Sequence, residues 1–281
     1  MARIVAGLAL VVLAAGCGGT KQPSQRSGAI IASRLADGLA LYRMNADGSA
    51  VQRLSPPDAR DSQPAWSPDG HTIAFVRETI YGPRLCAMDA GSGRVRVLRV
   101  LDDALANPSW SPSGDRIVYA GIDAITILDV HRHTATRISH GYDQHPSWSA
   151  DGKEIAFEHD ATGNGDTSIW VLRPDGTHRH RVSHPHGRDA DHEPAWSPDG
   201  KRIAFQRDYD LWLVEVRSGS ERRIARFADY PSWSADGRRI LVTEVRRPIA
   251  KTGLYSVDPR TGRSKLLVRG LWTESTWRPA S

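Results

Sequence analysis

The chain has almost no cysteine: 281 residues hold two, Cys17 and Cys86, far apart in sequence. That excludes a disulfide framework, and neither zinc-type nor catalytic-cysteine spacing is present. Cys17 belongs to an N-terminal signal. Cys86, in Leu85-Cys86-Ala87-Met88, is left without a partner and reads as a small buried hydrophobe on a strand. Long apolar runs are also missing. The stretch Ile4 to Ala15 is too short to cross a bilayer as a helix, which takes about 20 residues. No block of like charges occurs either. The net charge of +5 comes from scattered arginines, so nucleic acid is not an expected partner. A Gly-x-Ser-x-Gly elbow and a Gly-x-x-x-x-Gly-Lys phosphate loop are both lacking, and no catalytic residue is assigned. With 40% hydrophobic and 25% charged residues, the chain can still build an ordinary globular core.

What is present is a repeat. Pro194-Ala195-Trp196-Ser197-Pro198-Asp199-Gly200-Lys201-Arg202-Ile203-Ala204-Phe205 returns as Pro64 to Phe75, Pro108 to Tyr119, Pro146 to Phe157 and Pro231 to Val242. A broken sixth copy, Ser275-Thr276-Trp277-Arg278-Pro279, ends the chain. The Ser-Pro-Asp-Gly core suits a type I turn with a glycine bulge, and its flanks are strand formers, so each copy predicts a hairpin. A second hairpin follows, its strands including Leu85 to Asp89, Ile125 to Asp129, Ile169 to Leu172, Leu211 to Val214 and Leu254 to Asp258. Short outer strands come next, such as Val95 to Leu98 and Arg222 to Ile224. Each unit thus offers four short antiparallel strands, and the Trp-to-Trp spacing of 37 to 48 residues lies near the propeller-blade range.

The two ends complete the count. Residues 29–55 hold three strands of a unit but lack the Pro-x-Trp strand, while residues 275–279 hold only that strand. Pairing Thr276-Trp277 with Ile30-Ile31 closes a ring and removes the loose edges of an open array. The expectation is an all-β, six-bladed β-propeller of four-stranded antiparallel blades over residues 29–281, monomeric, closed by 275–279 joining 29–55. The repeated phrase resembles the TolB-type, WD40-like β-propeller repeat across nearly all of residues 28–279. TolB itself carries an N-terminal α/β domain for which these 281 residues leave no room, so the resemblance implies the propeller and not a Tol–Pal role.

At the N-terminus, Met1-Ala2-Arg3, the apolar run and Leu13-Ala14-Ala15-Gly16-Cys17 resemble a bacterial lipoprotein signal. Residues 1–16 would be removed, Cys17 would be lipidated, and 17–28 would be a flexible tether. The resemblance implies an extracytoplasmic, membrane-anchored protein of the cell envelope. An ordinary secretory signal followed by an incidental cysteine is the alternative.

Function in a propeller is sought at a channel mouth. The residues just before each Pro-x-Trp are Gln63, Asn107, His145, Glu193 and Tyr230, with Glu274 in the closing unit. All six are polar, and they are expected to form a ligand-binding ring, flanked by Asp61, Asp143, Asp191, His192 and Asp229. The ring contains a single histidine, so no metal site and no cofactor is assigned. The leading expectation is a non-enzymatic scaffold for an envelope protein, peptide or glycan. The alternative is a metal-dependent carbohydrate lyase or hydrolase with its site in the channel, because oligogalacturonate lyases of similar architecture hold a metal there. His178 to His192, with five histidines, reads as a solvated loop region, and Asp160, Asn164 and Asp166 lack calcium-loop spacing. The repeated tryptophans read as blade packing, whereas Trp272 reads as a loop residue available for an exposed contact.

Overall fold

The computed structural model describes residues 30–35, 38–101, 106–186, 189–244 and 251–279. The signal, Cys17 and the tether lie outside the described residues. Six four-stranded antiparallel sheets follow one another along the chain. The first is built from β1 (Ile30–Arg34), β2 (Ala40–Met44) and β3 (Gln52–Arg53). The second holds β4 (Arg60–Trp66), β5 (Thr72–Glu78), β6 (Arg84–Asp89) and β7 (Val95–Val100). The third holds β8 (Ser109–Trp110), β9 (Arg116–Ala120), β10 (Ile125–Asp129) and β11 (Ala135–Arg137). In the fourth come β12 (Tyr142–Trp148), β13 (Ile155–Asp160), β14 (Thr167–Leu172) and β15 (His180–Arg181). The fifth comprises β16 (Asp191–Trp196), β17 (Arg202–Arg207), β18 (Asp210–Glu215) and β19 (Ser220–Arg226). The sixth comprises β20 (Asp229–Trp233), β21 (Ile240–Glu244), β22 (Gly253–Val257) and β23 (Ser264–Arg269).

The last strand, β24 (Trp272–Trp277), leaves the sixth blade and completes the first, in the order β24-β1-β2-β3. Its register is the expected one, Ile30 opposite Trp277 and Ile31 opposite Thr276. The strand begins earlier than residue 275, however, and this corrects the reading of Trp272. Trp272 is 3% exposed, sits edge-on to Tyr42 with ring centroids 5.7 Å apart, and carries the Arg34 guanidinium over its face at 5.5 Å. It is a packing residue of the closure, not an exposed contact.

The turn chemistry explains why the repeat is so regular. In Ser67-Pro68-Asp69-Gly70 the glycine N–H donates to the Ser67 carbonyl at 2.9 Å, and the Ser67 hydroxyl donates to Asp69 at 2.5 Å. Asp69 also accepts the His71 N–H, and Ser67 Oγ accepts that of Thr72, so the turn closes on itself. Where Ser113 replaces the aspartate, Asp115 takes the Ser111 hydroxyl instead. The following glycine is left-handed, and a Cβ on Gly114 or Gly237 would come within 3.3 Å of Pro68 or Pro198 in the preceding blade.

The core lies between blades rather than within any one. Six apolar clusters each draw on two neighbouring sheets, including one that joins the sixth blade to the first through Leu241, Leu254, Trp272 and Tyr42. Cys86 is buried in the cluster joining the first two blades, and that burial pushes its thiol up to about 11. The blade tryptophans are 6–8% exposed apart from half-buried Trp110. Four of them are held by an arginine of the preceding blade: Arg116 over Trp148, Arg202 over Trp233, Arg239 over Trp277 and Arg278 over Trp66, at 4.9–5.3 Å from the ring centroids. Each such pair adds roughly 0.5–1 kcal/mol to the seam between blades.

Candidate functional site

All six polar residues named from the repeat, Gln63, Asn107, His145, Glu193, Tyr230 and Glu274, line one cavity of about 300 Å³ at a mouth of the channel. The backbone brings them there. Gln63, Asn107, His145, Glu193 and Tyr230 all have φ between 44° and 57°, in the left-handed region, although none is glycine and each precedes a proline. In five of the blades the ladder slips at this point, between Ser62 and Ala65, Gln144 and Ser147, His192 and Ala195, Asp229 and Ser232, and Trp272 and Ser275. A bulge of this kind re-aims one side chain, and a left-handed residue held before proline is strained, so the surrounding fold must impose it. Glu274 reaches the same cavity from β24, where Ser275 stands in place of the proline.

The bulges also turn backbone N–H groups inward, and neighbouring blades satisfy several of them. Gln63 Oε1 accepts the Asn107 N–H at 2.9 Å, and Glu193 Oε2 accepts the Tyr230 N–H at 2.5 Å. The Glu193 N–H donates to Glu158 Oε1, also at 2.5 Å. Glu158 was not foreseen from the sequence. It stands on β13 with its side chain 4% exposed, its Oε1 2.7 Å from His145 Nδ1 and its Oε2 3.2 Å from His192 Nδ1. One carboxylate therefore ties two histidines and a backbone amide across the fourth and fifth blades. The position is the one just after the Ile-Ala-Phe strand motif, filled by Val76 and Ala120 in two blades and by Glu158, Gln206, Thr243 and Ser33 in the others. A charged residue there, beside a fully buried phenylalanine, was the signal available.

The ionisation pattern follows from that geometry. Burial alone would strip the proton from His145, but the Glu158 carboxylate outweighs it and raises the imidazole to about 9. Burial likewise works against charge on Glu158, yet His145 and then His192 hold it down at about 2. His192 is raised as well, because Glu158 overcomes its burial. Glu193 goes the other way: burial pushes its carboxyl up to about 8, and the nearby His145 charge only partly offsets that. Burial also raises Asp229 and Tyr230. Near neutral pH the mouth thus combines an ion pair, His145–Glu158, with a protonated Glu193 beside it.

The flanking acids divide. Asp61, Asp143 and Asp191 do not face the cavity; they are buried in their blades and paired with basic groups. Asp61 meets Arg77 at 2.7 Å, Asp143 meets Arg179 at 2.8 Å and His159 at 2.7 Å, and Asp191 meets Arg207 at 2.5 Å. Burial outweighs Arg207 at Asp191 and raises its carboxyl. Asp229 is bonded by the Gln206 amide at 3.0 Å. In the histidine-rich stretch, His178, His180, His184 and His186 are exposed, and only His192 joins the site. Asp160 accepts the N–H groups of Thr162, Gly163 and Gly165, so its loop is closed by its own backbone.

The family described as the TolB beta propeller domain matches residues 22–129 and 123–281. The chain belongs to that family. No curated protein matches it. Among solved structures, TolB from Acinetobacter baumannii superposes with a TM-score of 0.78 at 21% identity, covering 92% of this chain and 69% of that one. A chain of a nidogen–laminin complex gives 0.74 at 9% identity, covering 91% and 99%. Oligogalacturonate lyase from Vibrio parahaemolyticus is more distant, at 0.58 and 14% identity over 82% and 71%. At these identities the likeness is one of fold. Among the described residues of this TolB-type propeller, no group of three or more histidine, cysteine, aspartate or glutamate side chains is placed to hold a metal ion. No helix among them is long and apolar enough to cross a membrane.

Proposed function

We propose that this TolB-type propeller is a non-enzymatic docking scaffold of the cell envelope, anchored through Cys17, that receives a segment of a partner protein at the ring mouth. One observation carries the reading: the two faces of the disc differ. Among the described residues, the hairpins between second and third strands and the links into first strands emerge on the ring side. Among the described residues, seven of the eleven exposed large hydrophobics stand on those connections, including Ile80 (91% exposed), Tyr81 (79%), Tyr209 (68%), Ile122 (61%) and Phe227 (54%). Exposed apolar side chains gathered around a polar cavity are the anatomy of a protein-binding face. Solvated loops alone would not select isoleucine, tyrosine and phenylalanine on one side.

The family match supports a general binding role, and the TolB neighbour supports the envelope address; the N-terminal signal supports the anchor. The test places a photo-crosslinking residue at Tyr209 or Phe227 on the ring side, and at Pro112 in a turn of the opposite face, in cells. A discrete crosslinked partner from the first two sites and none from Pro112 is expected. Equal yields from both faces would sink the docking reading. For the anchor, Cys17→Ser is expected to move the protein from the membrane fraction to the soluble one, and unchanged fractionation would refute it.

A further inference from the structure

The mouth is acidic in a basic protein. The chain carries a net charge of +5, yet among the described residues no lysine or arginine lines the mouth cavity. Its ionisable lining is His145, Glu193, Tyr230 and Glu274. The one cationic group, His145, is already matched by Glu158 at 2.7 Å. Glu158 is itself saturated, with His145, His192 and the Glu193 N–H around it. Glu193 gives one oxygen to the Tyr230 N–H. Glu274 holds a buried Oε2 that has no hydrogen-bond partner. A buried carboxylate oxygen without a donor is costly, and the natural remedy is a donor supplied from outside. A cavity of about 300 Å³ is at the small end of ligand sites and fits one side chain or small amine rather than a folded domain.

We propose that the mouth takes a single cationic nitrogen group, an alkylammonium or guanidinium, between the carboxylates of Glu193 and Glu274 and beside the Tyr230 ring. This rests on the ring face being the docking face, and it states what the partner presents there: a lysine or arginine side chain, or an N-terminal amine, on an extended segment. An anion has no such place, because His145, the cationic group among the described lining residues, is already paired with Glu158. An aromatic ring beside two carboxylates is a favourable surrounding for a cation, and charge-assisted hydrogen bonds in a poorly hydrated cavity are strong. A cation seated there also favours the ionised form of Glu193, whose carboxyl stands near 8 without it. Binding at pH 7 therefore expels close to one proton. The groups that face Glu193 and set this balance are His145 and Glu158 from the fourth blade, His192 on its own strand, Asp229 and Tyr230 from β20, and Glu274 from β24.

The experiment titrates the full chain, in detergent, by calorimetry with three probes: Ac-Gly-Ser-Lys-Ser-Gly-amide, the same peptide with norleucine for lysine, and 1,4-diaminobutane. The lysine peptide is expected to bind at least tenfold more tightly than the norleucine peptide. Glu193→Gln and Glu274→Gln should each weaken it at least tenfold. In two buffers of different ionisation enthalpy, wild type should release close to one proton per peptide and Glu193→Gln none, which a purely structural role for Glu193 would not produce. Equal binding of the norleucine peptide, or indifference to both substitutions in variants that melt cooperatively, overturns the proposal. Binding of 1,4-diaminobutane as tight as that of the lysine peptide supports the site and assigns it to free amines. Amine binding lost while the Tyr209 crosslink persists refutes this inference and leaves the docking reading standing. Amine binding kept with no crosslinked partner does the reverse.

Discussion

Replacing Glu193 by glutamine should make the protein more stable, and only above about pH 5. The side chain is half-buried at the channel mouth, and its carboxyl is raised from 4.5 to about 8. Between those values the folded state keeps a proton that the unfolded chain has released, so the folded state binds more protons and stability falls as pH rises. At about 1.4 kcal/mol per pH unit, a window of that width sets a ceiling near 5 kcal/mol at pH 8. Partial exposure to channel water lowers the expectation to about 2 kcal/mol. Glutamine cannot ionise, keeps an oxygen to accept the Tyr230 N–H, and removes the penalty. For a chain of this size that is a gain of roughly 4–8 °C in Tm at pH 8, shrinking to nothing near pH 4.5. His145 adds a second decline. Its folded pKa of about 9 lies above the unfolded value, so its contribution is complete below pH 6.5 and is lost as pH rises toward 9; Glu193 is one of the charges that raise it, so the variant should lose this contribution at somewhat lower pH. Melting curves by calorimetry from pH 4.5 to 8.5 should therefore diverge from pH 5 upward and both decline above 6.5. Parallel curves across the range would show that Glu193 is ionised like a surface carboxylate, and the description of the mouth would be wrong.

Glu158→Gln should act in the opposite direction. It leaves His145 buried without its counter-charge, which costs about 3 kcal/mol in chemical denaturation at pH 7, and the His145 titration followed by NMR should drop from about 9 to 6.5 or below. Arg239→Ala, which uncovers Trp277 at the closing seam, should cost about 1 kcal/mol in the same assay; no change would mean that the stacked guanidinium contributes nothing there. Deleting residues 271–281 removes β24 and exposes the edge of β1, and gel filtration should then show more association or aggregation than the full chain does. A monodisperse, cooperatively folding deletion would refute the closure.

The architecture was legible because one phrase carries three physical instructions that do not depend on their surroundings. Ser-Pro-Asp-Gly closes its own turn, the tryptophan needs a neighbouring blade, and Ile-Ala-Phe needs two apolar faces. The blade count was legible from the incomplete ends, since 275–279 lacks what 29–55 supplies. The ring residues could be named because they keep a fixed offset from the proline. Other features depend on which blades become neighbours. The stacking of Arg116, Arg202, Arg239 and Arg278 on the next blade's tryptophan has no mark in the local pattern, where each reads as an ordinary strand-edge charge. Trp272 was misread because it lies upstream of the broken motif copy, where Asp61, Asp143 and Asp191 stand in other blades. Arg34 and Tyr42, far away in sequence, make it part of the closure. Glu158 was missed because its partners come from two elements, His145 on its own blade and Glu193 on the next.

The ring positions can vary in side chain without cost to the fold. A left-handed residue before proline takes its conformation from the blade, since the five copies hold glutamine, asparagine, histidine, glutamate and tyrosine at nearly the same φ. The side chain there is thus decoupled from the backbone that aims it. Polar character in the layer behind is not evenly spread: Val76 and Ala120 back Gln63 and Asn107, whereas Glu158, Gln206, Thr243 and Ser33 fill that layer in the other four blades. The charged half of the mouth is therefore the half whose backing strands are polar too. Packing alone would favour an apolar residue at all six backing positions, because each follows a fully buried strand core. Four departures, all in consecutive blades around the acidic side, fit the proposed binding mouth better than a channel that merely happens to be wet.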